Sequence, residues 1–440
     1  MLLTSYPFLF FLLPVTLFIY FVFFENKKHY KLIYLGAISA YFYFIDNGIL
    51  LLILIFLTLV TKFQIDKKFF NNYLFVSLIL FPLIVFKYSY TFFEFYGLPT
   101  PDYIENNFPI GLSFFTFQAI AYYFDSNRNK NNESSFEIFT FLAFFPQLLA
   151  GPIVDINTFR NGMGKSATQQ EIIMGVHRIS IGLLKKFLIA DTLSEVTLIF
   201  SNTHEIINLS FLSSLIIILS YTFQIYYDFS GYCDIAIGLG MFFGFKLPEN
   251  FTKPYTSKSF KEFWQKWHIT LSNFFKNYVY IPLGGSKTTT LKTYRNLWIT
   301  FLCTALWHGS SLPFLLWGFL HGFFMTIERL LNFSKVFSNR FITFTLIALS
   351  WVPFFSKDLS DVRTIYFGLL NFNFNDDYLL PLIVQNINFK FLVVSIICVL
   401  SLNTWKYKFN PNFWSSYALL LFAIVVVISS SVDPFIYFKF

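Results

Sequence analysis

Apolar residues in this chain do not alternate with polar ones. They run in blocks long enough to cross a bilayer, separated by short polar connections. Each crossing needs about 20 mostly apolar residues. Blocks of that kind fall at roughly 7–24, 32–45, 48–63, 72–90, 109–124, 187–201, 207–229, 293–308, 312–331, 341–356, 389–402 and 416–433, which predicts about eleven or twelve transmembrane helices. Without barrel-type alternation, helices are the way to satisfy the backbone in hydrocarbon. Two further apolar pieces are too short or too interrupted to cross alone: Phe136–Ala150, ending at Gly151-Pro152, and Ile235–Phe245, ending near Pro248. They are expected as re-entrant or half-buried helices that shape a funnel within the bundle. The fold class is therefore an all-α polytopic integral membrane protein, read as one domain over residues 1–440 without internal repeat or soluble module.

Composition agrees: 55% of residues are hydrophobic, 22% aromatic and only 13% charged, against about 25% charged in soluble domains. The first block, Pro7–Phe24, lacks a basic segment before it and a small-residue cleavage site after it, so an uncleaved span is expected. Lys27, Lys28 and Lys31 follow it, which by the positive-inside rule puts the N-terminus outside the cytoplasm. Cys233, Cys303 and Cys398 show no metal-ligand spacing and read as buried thiols. No metal site is expected.

Charge is concentrated in one stretch. From Lys246 to Arg295 nine basic residues face only Glu249 and Glu262, a net +7 of the chain's formal +8. Positive-inside topology explains this, and so does a docking surface for an anionic cytoplasmic molecule such as a CoA nucleotide or an acidic carrier protein. Nothing in the pattern points to nucleic acid.

Within that stretch, Phe260–Tyr278 reads as one helix. Phe260, Phe263, Trp264, Trp267, Leu271, Phe274, Phe275 and Tyr278 recur at spacings of three and four. Ser259 and Glu262 form a capping-box pattern, and Glu262 with Lys266 an i,i+4 pair. His268 falls on the apolar face. His308 ends the span Leu297–Trp307. Ionisable groups at such depth are functional candidates, and a buried imidazole held neutral can serve as a general base. The alternative for both is a structural, hydrogen-bonded histidine. His29, His177, His204 and His321 read as structural or packing groups. Asp228 and Asp234 are either proton or ion ligands, as in a transporter, or partners of nearby lysines. No Gly-rich phosphate loop, HExxH or GxSxG occurs, which excludes the corresponding NTPase, zinc-protease and α/β-hydrolase readings.

The motifs together resemble one family. Phe144-Phe145-Pro146-Gln147-Leu148-Leu149-Ala150-Gly151-Pro152, Tyr227-Asp228-Phe229-Ser230-Gly231-Tyr232, Trp264-Gln265-Lys266-Trp267-His268, Tyr280-Ile281-Pro282-Leu283-Gly284-Gly285 and Leu306-Trp307-His308-Gly309 occur in order within about residues 109–329. This combination is similar to the membrane-bound O-acyltransferases, in the bacterial branch of alginate and peptidoglycan O-acetylation and teichoic-acid D-alanyl transfer. The chain departs from the family pattern at Lys266 and Lys276, where Arg is common, and at Phe274 and Asn277, where Trp and Asp are common.

The resemblance implies that His308 is the catalytic histidine in a central tunnel across a bacterial cytoplasmic (inner) membrane, with His268 near the cytoplasmic mouth. It implies no bound cofactor but an acyl thioester donor, acetyl-CoA or a carrier-protein thioester; the basic stretch would dock it, at Lys253, Lys266 and Lys276. The Trp307 indole N–H or a backbone N–H near Gly309 would stabilise the oxyanion. The acceptor would be a hydroxyl of a cell-envelope polysaccharide, reached through a separate periplasmic or extracellular transferase. D-alanyl transfer and, from another class, transport or flipping are the alternatives.

Overall fold

The computed structural model describes residues 1–24, 27–99, 101, 108–129, 133–163, 165–202, 208–331, 339–374, 377, 379–386, 392–393, 395–396, 400 and 411–430. Among them there is helix and no strand. The expected span at 389–402, together with His204 and Cys398, falls mostly or wholly outside the described residues.

The helices are α1 (Phe8–Phe24), α2 (Lys28–Asn47), α3 (Leu51–Lys67), α4 (Asn72–Phe95), α5 (Leu112–Asn129), α6 (Ser135–Ala143), α7 (Phe145–Leu148), α8 (Ile156–Met163) and α9 (Gln169–Leu184). They continue as α10 (Asp191–Asn202), α11 (Phe211–Phe242), α12 (Phe260–Lys266), α13 (Ile269–Phe275), α14 (Thr290–His308), α15 (Leu312–Leu330), α16 (Arg340–Phe355), α17 (Leu359–Gly368), α18 (Leu379–Asn386) and α19 (Phe413–Ser429). Their starts follow ordinary capping chemistry. Asn71 accepts the Leu74 N–H at 2.9 Å, and Ser134 and Glu137 close a full capping box before α6. By length and composition, Tyr30–Lys67 and Asn72–Ser89 can each cross a membrane; Phe8–Phe24, Arg340–Phe355 and Phe413–Ser429 are shorter apolar helices. Phe11, Phe18, Phe81 and Val425 are exposed on these segments, as a lipid-facing surface requires.

The chain forms two compact units. One comprises Met1–Ser180, Tyr232–Glu249 and Asn410–Leu420; the other comprises Ile181–Gly231, Asn250–Phe409 and Leu421–Phe440. In the first, the short piece expected at Phe136–Ala150 is two helices, α6, whose first turn is partly exposed, and the buried α7, broken at Phe144. The break leaves backbone groups that need partners. Ser39 Oγ accepts the Phe145 N–H at 3.1 Å, and Gln147 Nε2 donates to the Phe141 carbonyl at 2.7 Å. Lys31 is buried, donates to the Lys165 carbonyl, and lies 5.7 and 5.6 Å from the Tyr20 and Phe245 ring centres.

The other short piece, Ile235–Phe245, is a correction to the sequence reading. It does not stand alone. α11 runs unbroken for 32 residues, about 48 Å at 1.5 Å per residue. Glycines and carboxylates along it are packing and pairing positions. A Cβ on Gly238 would lie 2.6 Å from the Gly175 carbonyl, and one on Gly231 2.8 Å from that of Gly182. Asp234 pairs with Arg178 at 2.6 Å, and Arg178 also forks onto Glu249 at 2.6 and 3.1 Å. Asp228 pairs at 3.1 Å with Lys186, which meets Asp191 at 2.7 Å. Lys186 sits in a π-helical turn, Lys185–Ala190, that continues α9. Asp228 thus has the lysine partner expected, whereas Asp234 is paired with an arginine.

Candidate active site

The helix expected over Phe260–Tyr278 is interrupted. α12 begins as its sequence suggests: Ser259 accepts the Glu262 N–H at 3.1 Å, and Glu262 pairs with Lys266 at 2.7 Å. The capping box is not closed, because the Glu262 carboxylate takes the Lys258 N–H at 2.7 Å. That partner and Lys266 hold the Glu262 carboxyl below the usual glutamate range, the Lys266 bond contributing most. After Lys266 the chain turns, and His268 adopts a left-handed conformation, φ 42 and ψ 54. For a residue with a side chain this costs about 1–3 kcal/mol and persists only when its surroundings enforce it.

The segment at Asn250 enforces it. The Thr252 N–H donates to the Lys266 carbonyl at 3.0 Å, and the Ile269 N–H donates to the Asn250 carbonyl at 3.0 Å. The Asn250 Oδ1 accepts from the Thr270 N–H at 3.1 Å, from Thr270 Oγ1 at 3.0 Å and from His268 Nδ1 at 3.1 Å. An amide oxygen only accepts, so Nδ1 carries the His268 proton and Nε2 the lone pair. His268 is buried, and burial pushes its imidazole down to about 3. It is held neutral.

His308 is the last residue of α14 and is 5% exposed. Four rings surround its imidazole: Trp307 at 4.7 Å, Phe354 at 4.8 Å and Trp317 at 5.0 Å, all edge-on, and Phe314 stacked at 6.4 Å. Gly309 makes this packing possible. Any Cβ there would come within 2.2 Å of the Phe314 ring. The Gly309 N–H donates to the Ala305 carbonyl at 3.1 Å, so that one N–H is committed to the helix end. The structure brings the two candidate histidines to one tryptophan: the Trp307 ring lies 6.1 Å from His268 and 4.7 Å from His308.

The same helices line a cavity of 670 Å³, and neither His268 nor His308 is on its lining. Leu297, Thr300, Phe301 and Thr304 line it from α14, at the spacings that make one helix face. His308, four residues beyond Thr304, is the next position on that face. α12 and α13 contribute Trp264, Gln265, Ile269 and Ser272, and α15 contributes Met325, Glu328 and Arg329. Asn296 holds the Gly284-Gly285 turn through the Leu283 and Gly285 carbonyls at 3.0 and 3.1 Å; Tyr280, just before that turn, also lines the cavity.

Of the three lysines expected to dock a donor, the cavity takes one, Lys276. Lys266 is drawn to Glu262, and Lys253 begins the Pro254–Thr256 turn with a left-handed backbone, φ 54. The cations that join Lys276 are Lys261 and Arg329, which the motif reading missed. Lys261 lay in the same basic stretch. Arg329 carried no signal, because its place depends on the antiparallel return of α15. Glu328, the one carboxylate on the lining, accepts the Phe260 N–H at 2.6 Å.

A sequence profile of the membrane-bound O-acyltransferase family matches residues 124–352. The peptidoglycan O-acetyltransferase of Helicobacter pylori is 33% identical over 423 residues, covering 81% of this chain and 79% of that protein. The chain belongs to the membrane-bound O-acyltransferase family.

Membership makes it an acyltransferase and a membrane protein. Other relatives act on different polymers by name. The probable alginate O-acetylase AlgI of Pseudomonas aeruginosa is 37% identical over 272 residues, 60% of this chain and 52% of that protein. The teichoic acid D-alanyltransferase of Bacillus subtilis is 28% identical over 273 residues, 58% of this chain and 69% of that protein. The family match contains the whole of α12 to α15, and with them both histidines and the cavity.

Proposed function

We propose that this acyltransferase takes an acetyl group from a cytoplasmic thioester, acetyl-CoA, and passes it across the bacterial cytoplasmic membrane toward hydroxyls of a cell-envelope polysaccharide. One observation carries this reading: the cavity follows the face of α14 whose next residue is His308, and Lys261, Lys276 and Arg329 on its lining suit the phosphates of a CoA donor. Lys253 and Lys266 serve the docking surface outside it. The basic stretch faces the cytoplasm, and the N-terminus lies on the other side.

The His308 imidazole takes the proton of the attacking hydroxyl, whose oxygen bonds to the acyl carbon. The carbon–sulfur bond breaks, and the imidazolium returns the proton to the departing thiolate. The Trp307 indole N–H, or a backbone N–H next to Gly309, stabilises the oxyanion. His268, neutral and anchored to Asn250, supports the Trp307 ring from a second side. A separate periplasmic or extracellular transferase completes delivery to the polymer.

The test is alkali-labile acetate in the envelope of cells carrying the intact chain or His308→Ala at equal membrane level. Loss of acetate supports the reading, and unchanged acetate refutes it. D-alanine in the released acid, with dependence on an acidic carrier protein, would favour the D-alanyl alternative suggested by the Bacillus subtilis relative.

A further inference from the structure

His321 is a buried histidine that acyl transfer at His308 leaves unused. It lies on α15, and its Nε2 is 3.0 Å from Ser350 Oγ on α16. Ser350 donates its own proton to the Ile347 carbonyl at 2.7 Å. The hydroxyl therefore accepts from His321, and the lone pair of this imidazole is on Nδ1. Among the described residues, neither His321 Nδ1 nor the Trp264 indole N–H has a hydrogen-bond partner. One is an acceptor lacking a donor, the other a donor lacking an acceptor. Their rings are in edge contact, with centroids 5.1 Å apart at 75°. Buried polar groups left unpaired are rare. The Trp317 and Trp351 indole N–H groups, whose rings lie 4.9 and 6.2 Å from His321, have no partner among the described residues either. Of the three donors, Trp264 is the one on the cavity lining.

Three of the rings around His321 matter to the site. Trp264 and Phe301 line the cavity, and Phe301 stacks on His321 at 6.3 Å. Trp317 packs on His321 at 4.9 Å and on His308 at 5.0 Å. We propose that His321 is a positioning residue: its Nδ1 receives the Trp264 indole N–H, and this bond sets the cavity wall against which the acyl thioester packs. The chain of restraint runs from α16 through Ser350 to the imidazole, and from the imidazole to the cavity. His321 itself touches no reacting atom. The proposal rests on the reading of the cavity as the donor's site.

Two measurements on the full chain in lipid nanodiscs test it. In protein carrying ¹⁵N-labelled tryptophan, the Trp264 indole signal is assigned by its loss in Trp264→Phe. It should move upfield in His321→Phe and stay near its wild-type position in His321→Gln, which keeps an acceptor. An identical Trp264 signal in wild type and His321→Phe overturns the bond, whether or not the protein consumes a thioester. With acetyl-CoA as the varied substrate, His321→Phe and Trp264→Phe should each raise KM up to about tenfold, the worth of one neutral hydrogen bond. The double variant should add nothing further, while kcat and its pH profile hold. A fall in kcat at unchanged KM, or additive effects, overturns the positioning role. A wild-type protein that consumes no acetyl-CoA refutes the donor reading alone, and the indole signal still decides the bond.

Discussion

Two sets of buried polar groups can be compared directly: the carboxylates of α11 and the imidazoles around Trp307 and Trp317. Asp228 and Asp234 are each met by a full countercharge, Lys186 and Arg178, with Asp191 and Glu249 completing the groups. The histidines are treated differently. His268 is anchored through Nδ1 to Asn250 and His321 through Nε2 to Ser350, and each keeps a lone-pair nitrogen among aromatic rings. Charge matched by charge gives a rigid helix packing and holds no group ready to exchange a proton. A neutral ring fixed by one nitrogen keeps the other as an acceptor that can orient a neighbouring group. Ion pairs fix the backbone of α11, and neutral rings fix the aromatic side chains around the site.

Four substitutions sharpen or break this contrast. His308→Gln keeps a polar group of similar reach but no base, and transfer of ester-linked acyl groups should fall about 10²–10⁴-fold. The folded yield in detergent should hold. Lys186→Met should do the reverse. It leaves Asp191 and Asp228 buried without their cation, a loss of about 3–5 kcal/mol, seen as a lower melting temperature or failure to accumulate. If Lys186→Met folds normally and abolishes only transfer, the division between the two regions is wrong.

Asn250→Ala stands between them, because it removes the acceptor of three hydrogen bonds. We expect about 1–3 kcal/mol of destabilisation together with reduced transfer, as His268 loses its fixed tautomer. The smallest effect belongs to Glu262→Gln at the partly exposed start of α12, at most about 1 kcal/mol. The Glu262 carboxyl is lowered from 4.5 in the folded chain. Its contribution is therefore complete above about pH 4.5 and is lost as pH falls through the depressed folded value. Wild type and Glu262→Gln should converge in stability in acid, which a pH series of melting curves would show.

The sequence made the histidines legible for a physical reason: polar ring residues stand out inside aromatic runs such as Trp267-His268 and Trp307-His308. It concealed the break at His268, because hydrophobic spacing continues through it. Phe260 and Phe263 before the turn and Leu271, Phe274 and Phe275 after it are all buried. The partner that stabilises the turn, Asn250, is 18 residues away and shows no periodicity. The reverse error occurred on α11. Ile235–Phe245 read as a separate piece because the groups that answer Gly231, Asp228 and Asp234, namely Gly182, Lys186 and Arg178, belong to another segment. Lysine side chains were the least legible. A charge count finds the basic stretch but not which cations turn inward, so Lys276 was found, Lys261 and Arg329 were missed, and Lys266 was already committed to the glutamate one turn before it.

The left-handed backbone at His268 has an evolutionary consequence. Glycine or asparagine would occupy that conformation with less strain, so a library selected only for thermal stability should drift away from histidine at this position. Selection for acyl transfer should pull it back. Sequencing the survivors of both selections would measure, in allele frequencies, how much conformational comfort the chain forgoes to keep an imidazole there.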